Sequence, residues 1–369
     1  MPSALTTVEG GLKIDMTDLD DLSLLRELDP EGMLGHVAAL PRQCRDAWAM
    51  ARGLKLSERH GGAAKVVIAG MGGSAIGGDL AAAVAADRSS KPIWVHRDYD
   101  LPAYVDSQTL VIASSYSGNT EETLAAFQAA HERGCPLVAI ATGGKLAQLA
   151  GQWKVPLVSF DYQSQPRAAL GYMFVALLGV LQALGTVEDL DADLEEGLAI
   201  LEGQGSELAP DVPQGQNQAK QLAATLFERI PIIVGAGPLA PVARRWKTQF
   251  NENGKSWAYF EVLPEMNHNA LSGIHFPVEA TDRLRILFLR CSGLHGRNQL
   301  RLDLTRQILK SQDVVCHQVS IPGASSLAQI LAAVQLGDYV SCYLALLYGT
   351  DPTAIQDIIG LKRHMSDHE

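Results

Sequence analysis

The turn between Leu110-Val-Ile-Ala113 and Glu121 constrains the fold of this chain more than any other stretch. Leu110 to Ala113 is apolar and reads as a buried strand, while Glu121 to His131 reads as the start of a helix. Ser114 to Thr120 is therefore a hydroxyl-rich turn at a strand-to-helix junction, which is a place to hold an anion. Amides at a helix N-terminus carry partial positive charge. Ser115, Ser117 and Thr120 add side-chain donors, and Gly118 lets the backbone come close. A phosphate monoester is the natural guest. The plainer reading, that these residues only cap a helix, accounts for fewer hydroxyls than are present.

The same pattern recurs along the chain. Val66-Val-Ile-Ala69 leads into a glycine-dense turn from Gly70 to Asp79, and Leu80 to Ala86 reads as an Ala-rich helix. Further strands are expected at 93–95, 110–113, 137–141 and 156–159. Strands alternating with helices imply an α/β fold with mostly parallel sheets covered on both faces. Residues 1–60 read as an N-terminal helical arm, 61–186 as a first α/β unit, and 187–218 as a connecting helix and linker. Residues 219–369 form a second unit that repeats the first. Pro231 to Pro238 answers Lys65 to Gly73, and Ala258 to Glu261 answers the strand at Ile93. Leu284 to Leu289 with Cys291 to His295 answers the hydroxyl loop, and Val314 to Val319 answers Leu137. The copy retains only Ser292 of the hydroxyls, so the first half reads as the anion site and the second as the source of reactive groups.

Gly70-x-Gly72-x-x-Ala75, with Asp98 further on, also fits the loose dinucleotide fingerprint. A dinucleotide site leaves the second, Ser/Thr-rich turn unexplained, whereas a sugar phosphate touching both turns explains it. A third possibility is that the glycines only allow close helix packing.

A net charge of −11 argues against nucleic-acid or anionic-membrane partners, so any phosphate must be held by local donors. The five cysteines are far apart, with no Cys-x-x-Cys and no metal-like spacing, and read as reduced thiols. No unbroken apolar run approaches the roughly 18 residues of a bilayer span, and the N-terminus has no signal-peptide pattern. A cytoplasmic protein is expected.

Gly72-Gly73-Ser74 together with Ser115-Tyr-Ser117-Gly-Asn-Thr120 resembles the sugar isomerase (SIS) domain. Gln165-Pro166-Arg167-Ala-Ala-Leu-Gly171-Tyr172, Asn251-Glu252-Asn253 and Glu265-Met266-Asn267-His268-Asn269 narrow the resemblance to the bifunctional phosphoglucose/phosphomannose isomerase family. It implies two SIS-type αβα sandwich subdomains, with Gly72, Gly73, Ser74, Ser115, Ser117 and Thr120 binding the phosphate of a hexose 6-phosphate. It implies Glu252 as the base that moves a proton between carbons 2 and 1, on a helix that follows Arg244-Arg245-Trp246-Lys247. Arg167 would stand beside the enediolate, and His268 of the partner subunit would open the sugar ring, so a homodimer with shared sites is implied. Lys362 lies where the family has a C-terminal lysine near the ring-opening position. No metal or other cofactor is implied. Two alternatives stay open: an isomerase of another sugar phosphate, such as an amino sugar, and a non-catalytic SIS module that senses a sugar phosphate.

Overall fold

The structure is a computed structural model that describes residues 16–366, the side chains of Ala280, Lys362 and Ser366 excepted. Two parallel sheets carry the fold. The first runs β2-β1-β3-β4-β5, with β1 Lys65–Ala69, β2 Ile93–His96, β3 Thr109–Ser114, β4 Leu137–Ala141 and β5 Leu157–Ser159. In the second, β6 Ile230–Ala236, β7 Tyr259–Leu263, β8 Leu284–Arg290 and β9 Cys316–Ser320 lie in the order β7-β6-β8-β9. That order reproduces β2-β1-β3-β4 strand for strand, so the repeat expected from the sequence is a repeat of topology.

Runs such as Val66-Val-Ile-Ala69 lack polar alternation because both faces of the first sheet are covered. Val66 and Ile68 point into the larger core shared by the two halves, whereas Val67 and Ala69 point into a second cluster with Phe127 and Leu146. The arm belongs to the larger core. Its helix Leu40–Arg52 lies along the helix Leu170–Ala183, where the Gln43 amide donates to the Ala168 carbonyl (2.8 Å) and its carbonyl accepts from the Gly171 amide (3.1 Å).

One detail differs from expectation. The glycine-dense stretch is not an extended turn, because the helix begins at Gly72 and runs to Ala85. Gly77 then lies inside it, where a Cβ would stand 3.1 Å from the Met173 carbonyl oxygen, so close helix packing accounts for this glycine. Two segments, Pro166–Ala183, which reads from sequence as a long buried helix, and Ser326–Leu347, are long and apolar enough to cross a membrane by length and composition, although neither is an unbroken apolar run. Asp338 and two glutamines interrupt the second run without lowering its average much. Its side chains are buried all round by protein, which marks it as a central core helix.

The helix Ala240–Glu252 packs on Ser326–Leu347 through Trp246, whose indole N–H donates to the Ala333 carbonyl (2.8 Å). A Cβ on Gly337 would stand 2.2 Å from that indole nitrogen. Helix propensity alone would favour alanine there by about 1 kcal/mol. Overpacking a rigid, buried indole costs about 1–3 kcal/mol, so the clash decides the sign. Gly337→Ala is predicted to lower the urea midpoint of unfolding, and an unchanged or raised midpoint would contradict this packing.

Candidate active site

The first sheet delivers two turns to the same end. After β1 the chain turns through Gly72, and after β3 through Ser115 to Thr120. The Tyr116 amide donates to Ser74 Oγ (3.2 Å), tying one turn to the other. Ser115 is buried beneath the second turn: its hydroxyl pairs with Thr120 Oγ1 (2.9 Å) and accepts from the Gly118 amide (3.1 Å). Gly118 has φ +67°, and a Cβ there would lie 1.9 Å from the Gly143 carbonyl oxygen, so no side chain is tolerated.

A cavity of about 380 Å3 opens over these turns. Gly72, Gly73, Ser74, Ser117 and Thr120 line it, and so do Arg167 and Glu252. Ser115 does not, so it shapes the turn while its neighbours face the cavity. The helix N-terminus at Glu121 lies beside Thr120, whose own hydroxyl makes no capping bond. Asp98 is exposed and accepts from the Tyr99 amide (2.8 Å); it is not on this cavity, which leaves the dinucleotide reading without its ribose carboxylate.

Arg167 stands on the short 3-10 turn Pro166–Ala169, beneath Gly73. Its guanidinium is almost fully buried and held from several sides. Nε donates to Asn253 Oδ1 (2.6 Å), and Nη2 donates to the carbonyls of Pro352 (2.9 Å) and Thr353 (2.8 Å). The remaining nitrogen, Nη1, is buried without a hydrogen bond and lies 3.5 Å from Glu252 Oε2. Burial pulls the Arg167 pKa below the ordinary guanidinium value, and the Glu252 carboxylate works against that shift. Glu252 is the last residue of its helix, with its side chain 30% exposed. Glu252 and Arg167 therefore both line the space above a phosphate-sized cradle, with the buried Nη1 of Arg167 beside the carboxylate.

The structure does not bring His268 to this cavity. It is exposed on the 3-10 turn Glu265–His268 that follows the edge strand β7. Its neighbour Asn267 fixes that turn by donating to Thr305 Oγ1 (2.8 Å) and accepting from Arg301 (3.1 Å). Lys362 falls in the helix Gln356–Ser366, and its side chain lies outside the described residues. Ile358 of that helix does line the cavity. Among the described residues no group of three or more His, Cys, Asp or Glu side chains is placed to hold a metal ion.

Several supporting residues were not singled out from sequence. Asn253 holds Arg167 and is itself held by donating to Ser341 Oγ (3.0 Å) on the core helix. Arg245 donates to the Arg167 carbonyl (2.9 Å) and to Asp338 Oδ2 (2.7 Å). Asn253 and Arg245 sit inside motifs already noticed, so adjacency was an available signal. The Pro352 and Thr353 carbonyls offered none, because a backbone acceptor carries no residue type. In the second unit, Gln329 bridges the turns after β8 and β9, donating to Ser292 Oγ (3.1 Å) and to the Gly323 carbonyl (2.9 Å).

Residues 215–365 match the family described as bacterial phospho-glucose isomerase C-terminal SIS domain. A bifunctional phosphoglucose/phosphomannose isomerase from Caldicellulosiruptor bescii is 42% identical over 336 residues, 91% of this chain and 99% of the relative. One from Aquifex aeolicus is 37% identical over 82% of this chain and 91% of the relative. A hypothetical protein from Thermus thermophilus superimposes with a TM-score of 0.72 at 17% identity, covering 94% of this chain and 92% of that one, a likeness of fold alone. With near-complete coverage of a relative at that identity, the chain belongs to the bifunctional phosphoglucose/phosphomannose isomerase family.

Proposed function

We propose that the protein interconverts glucose 6-phosphate and mannose 6-phosphate with fructose 6-phosphate by proton transfer through a cis-enediol. The observation that carries this reading is the convergence of both turns, Arg167 and Glu252 on one cavity, with Arg167 Nη1 beside the carboxylate and making no hydrogen bond. The phosphate rests on the backbone of Gly72 and Gly73 and on the hydroxyls of Ser74, Ser117 and Thr120. Glu252 removes the proton from carbon 2, and the electrons of that bond form the carbon 1–carbon 2 double bond while charge moves onto oxygen 1. The proton of the 2-hydroxyl passes to oxygen 1, and Glu252 returns its proton to carbon 1. Arg167 Nη1 stabilises the enediolate, a group whose charge exists only during reaction. Glucose and mannose 6-phosphates differ only at carbon 2, so one enediol serves both.

Ring opening needs a proton moved between the ring oxygen and the 1-hydroxyl, and we assign it to His268 of the partner subunit, with Lys362 nearby. Two observations support a homodimer. His268 is exposed and does not line its own cavity, and Trp257 (74% exposed), Tyr259, Phe276 (82%) and Val278 leave apolar surface along the β7 edge and the segment after it. We also place the protein in the cytoplasm, where its free thiols suit a reducing compartment.

Glu252→Gln keeps the shape and removes the base. Its kcat is predicted to fall by roughly 10²–10⁴-fold, while a hexitol 6-phosphate still binds with little change in affinity. Near wild-type turnover would overturn the isomerase reading and favour a sensing module. In a coupled assay the enzyme is expected to turn over glucose and mannose 6-phosphates and to leave glucosamine 6-phosphate; the reverse preference would establish the amino-sugar alternative. Incubation with a chelator is expected to leave activity intact, and loss with recovery on adding zinc would contradict a metal-free mechanism.

A further inference from the structure

Helix Ala240–Glu252 ends directly beneath its proposed base, and a helix end is where carbonyls lack partners and negative dipole accumulates. Three residues later, Lys255 adopts φ +52°, a left-handed conformation that its side chain disfavours. That turn sends the side chain back toward the helix. Nζ donates to the Glu252 carbonyl (2.5 Å) and to the Pro352 carbonyl (3.2 Å). The Pro352 oxygen also accepts from Arg167 Nη2 (2.9 Å), so one acceptor is shared by both cations. Its loop is fixed in turn: Pro352 and Thr353 are buried, and the Thr353 amide donates to Asp351 Oδ1 (2.7 Å).

We infer that Lys255 is a positioning residue for proton transfer: its ammonium ties the end of the base-bearing helix to the loop that grips Arg167, and so sets the Glu252–Arg167 separation. The inference rests on the isomerase reading above. Lys255 does not line the cavity, so its effect falls on the chemical step rather than on substrate binding. Misplacing a reacting group by about 1 Å costs on the order of 100-fold in rate, and a lost tether at this helix end is a displacement of that kind.

The charge of the tether is itself adjustable. Desolvation, and next the Arg167 guanidinium, push the Lys255 ammonium down to about 8, while Asp351, Cys342 and Glu252 pull the other way. The lowered value means that the charged form is present below about pH 8 and is lost as pH rises through it. The amine that remains holds the two carbonyls less strongly, so kcat declines on the alkaline side.

The test is steady-state kinetics on full-length Lys255→Met, Lys255→Arg and Glu252→Gln, with pH profiles and unfolding midpoints. Lys255→Met is expected to lower kcat at least about 10-fold at pH 7 with KM changed less than about 3-fold. Lys255→Arg, permanently charged, is expected to restore most of kcat and to carry the alkaline limb upward by a pH unit or more, roughly. If Lys255→Met fails to fold, kcat and KM of the smaller change Lys255→Gln at pH 7 decide instead, on the same expectation. A wild-type kcat in Lys255→Met, or an unmoved alkaline limb in Lys255→Arg, overturns the positioning role while loss of turnover in Glu252→Gln leaves the isomerase reading standing. Retained turnover in Glu252→Gln overturns both.

Discussion

A guanidinium removed from water needs a partner for every N–H, and an unmatched buried charge costs several kcal/mol. Arg167 meets that requirement at Nε and Nη2 by drawing on separate parts of the chain, and leaves Nη1 with only the Glu252 carboxylate nearby. Asn253 comes from the end of the helix after β6, and the Pro352 and Thr353 carbonyls come from the loop after the core helix. Arg245, paired with Asp338, holds its backbone. The first half of the protein thus places a cation whose ligands belong to the second half. Because these partners are fixed, Nη1 is left without a hydrogen bond beside Glu252, and residues of the two halves line one cavity.

The duplicated sheet explains how such a division of labour arises. In both units the strand order places the first and third strands side by side, so two turns emerge together at the carboxyl end, where ligands of open α/β sheets bind. In the first unit a cavity opens over these turns, whereas in the second Gln329 bridges the turns after β8 and β9 and the helix after β6 carries Glu252 to the first unit's cavity.

Much of this was legible in the sequence, for identifiable reasons. Short apolar runs located the strands of the first sheet, most clearly where both faces are buried, as from Val66 to Ala69, and the internal repeat located those of the second. The hydroxyl turn announced itself by residue type. The helix start at Gly72 was misread because glycines that serve close packing, such as Gly77, have the same spelling as glycines that serve a turn. Ser115 was expected as a ligand and proved to brace the turn from beneath, a distinction that depends on burial. The Pro352 and Thr353 carbonyls were invisible for a deeper reason: backbone acceptors are supplied by conformation. Lys255 was passed over because a lone lysine after a helix is ordinarily solvated, and only a left-handed φ turns this one back.

The most direct measurement is a crystal structure with a hexitol 6-phosphate, an acyclic analogue that keeps the phosphate and hydroxyls of the substrate. The account predicts the phosphate between the Gly72–Ser74 and Ser117–Thr120 turns, with carbon 2 facing Glu252 and an oxygen on carbon 1 or 2 within hydrogen-bond reach of Arg167 Nη1, about 2.6–3.2 Å. A phosphate bound elsewhere, or one seated there with the sugar chain pointing away from Glu252 and Arg167, would contradict it.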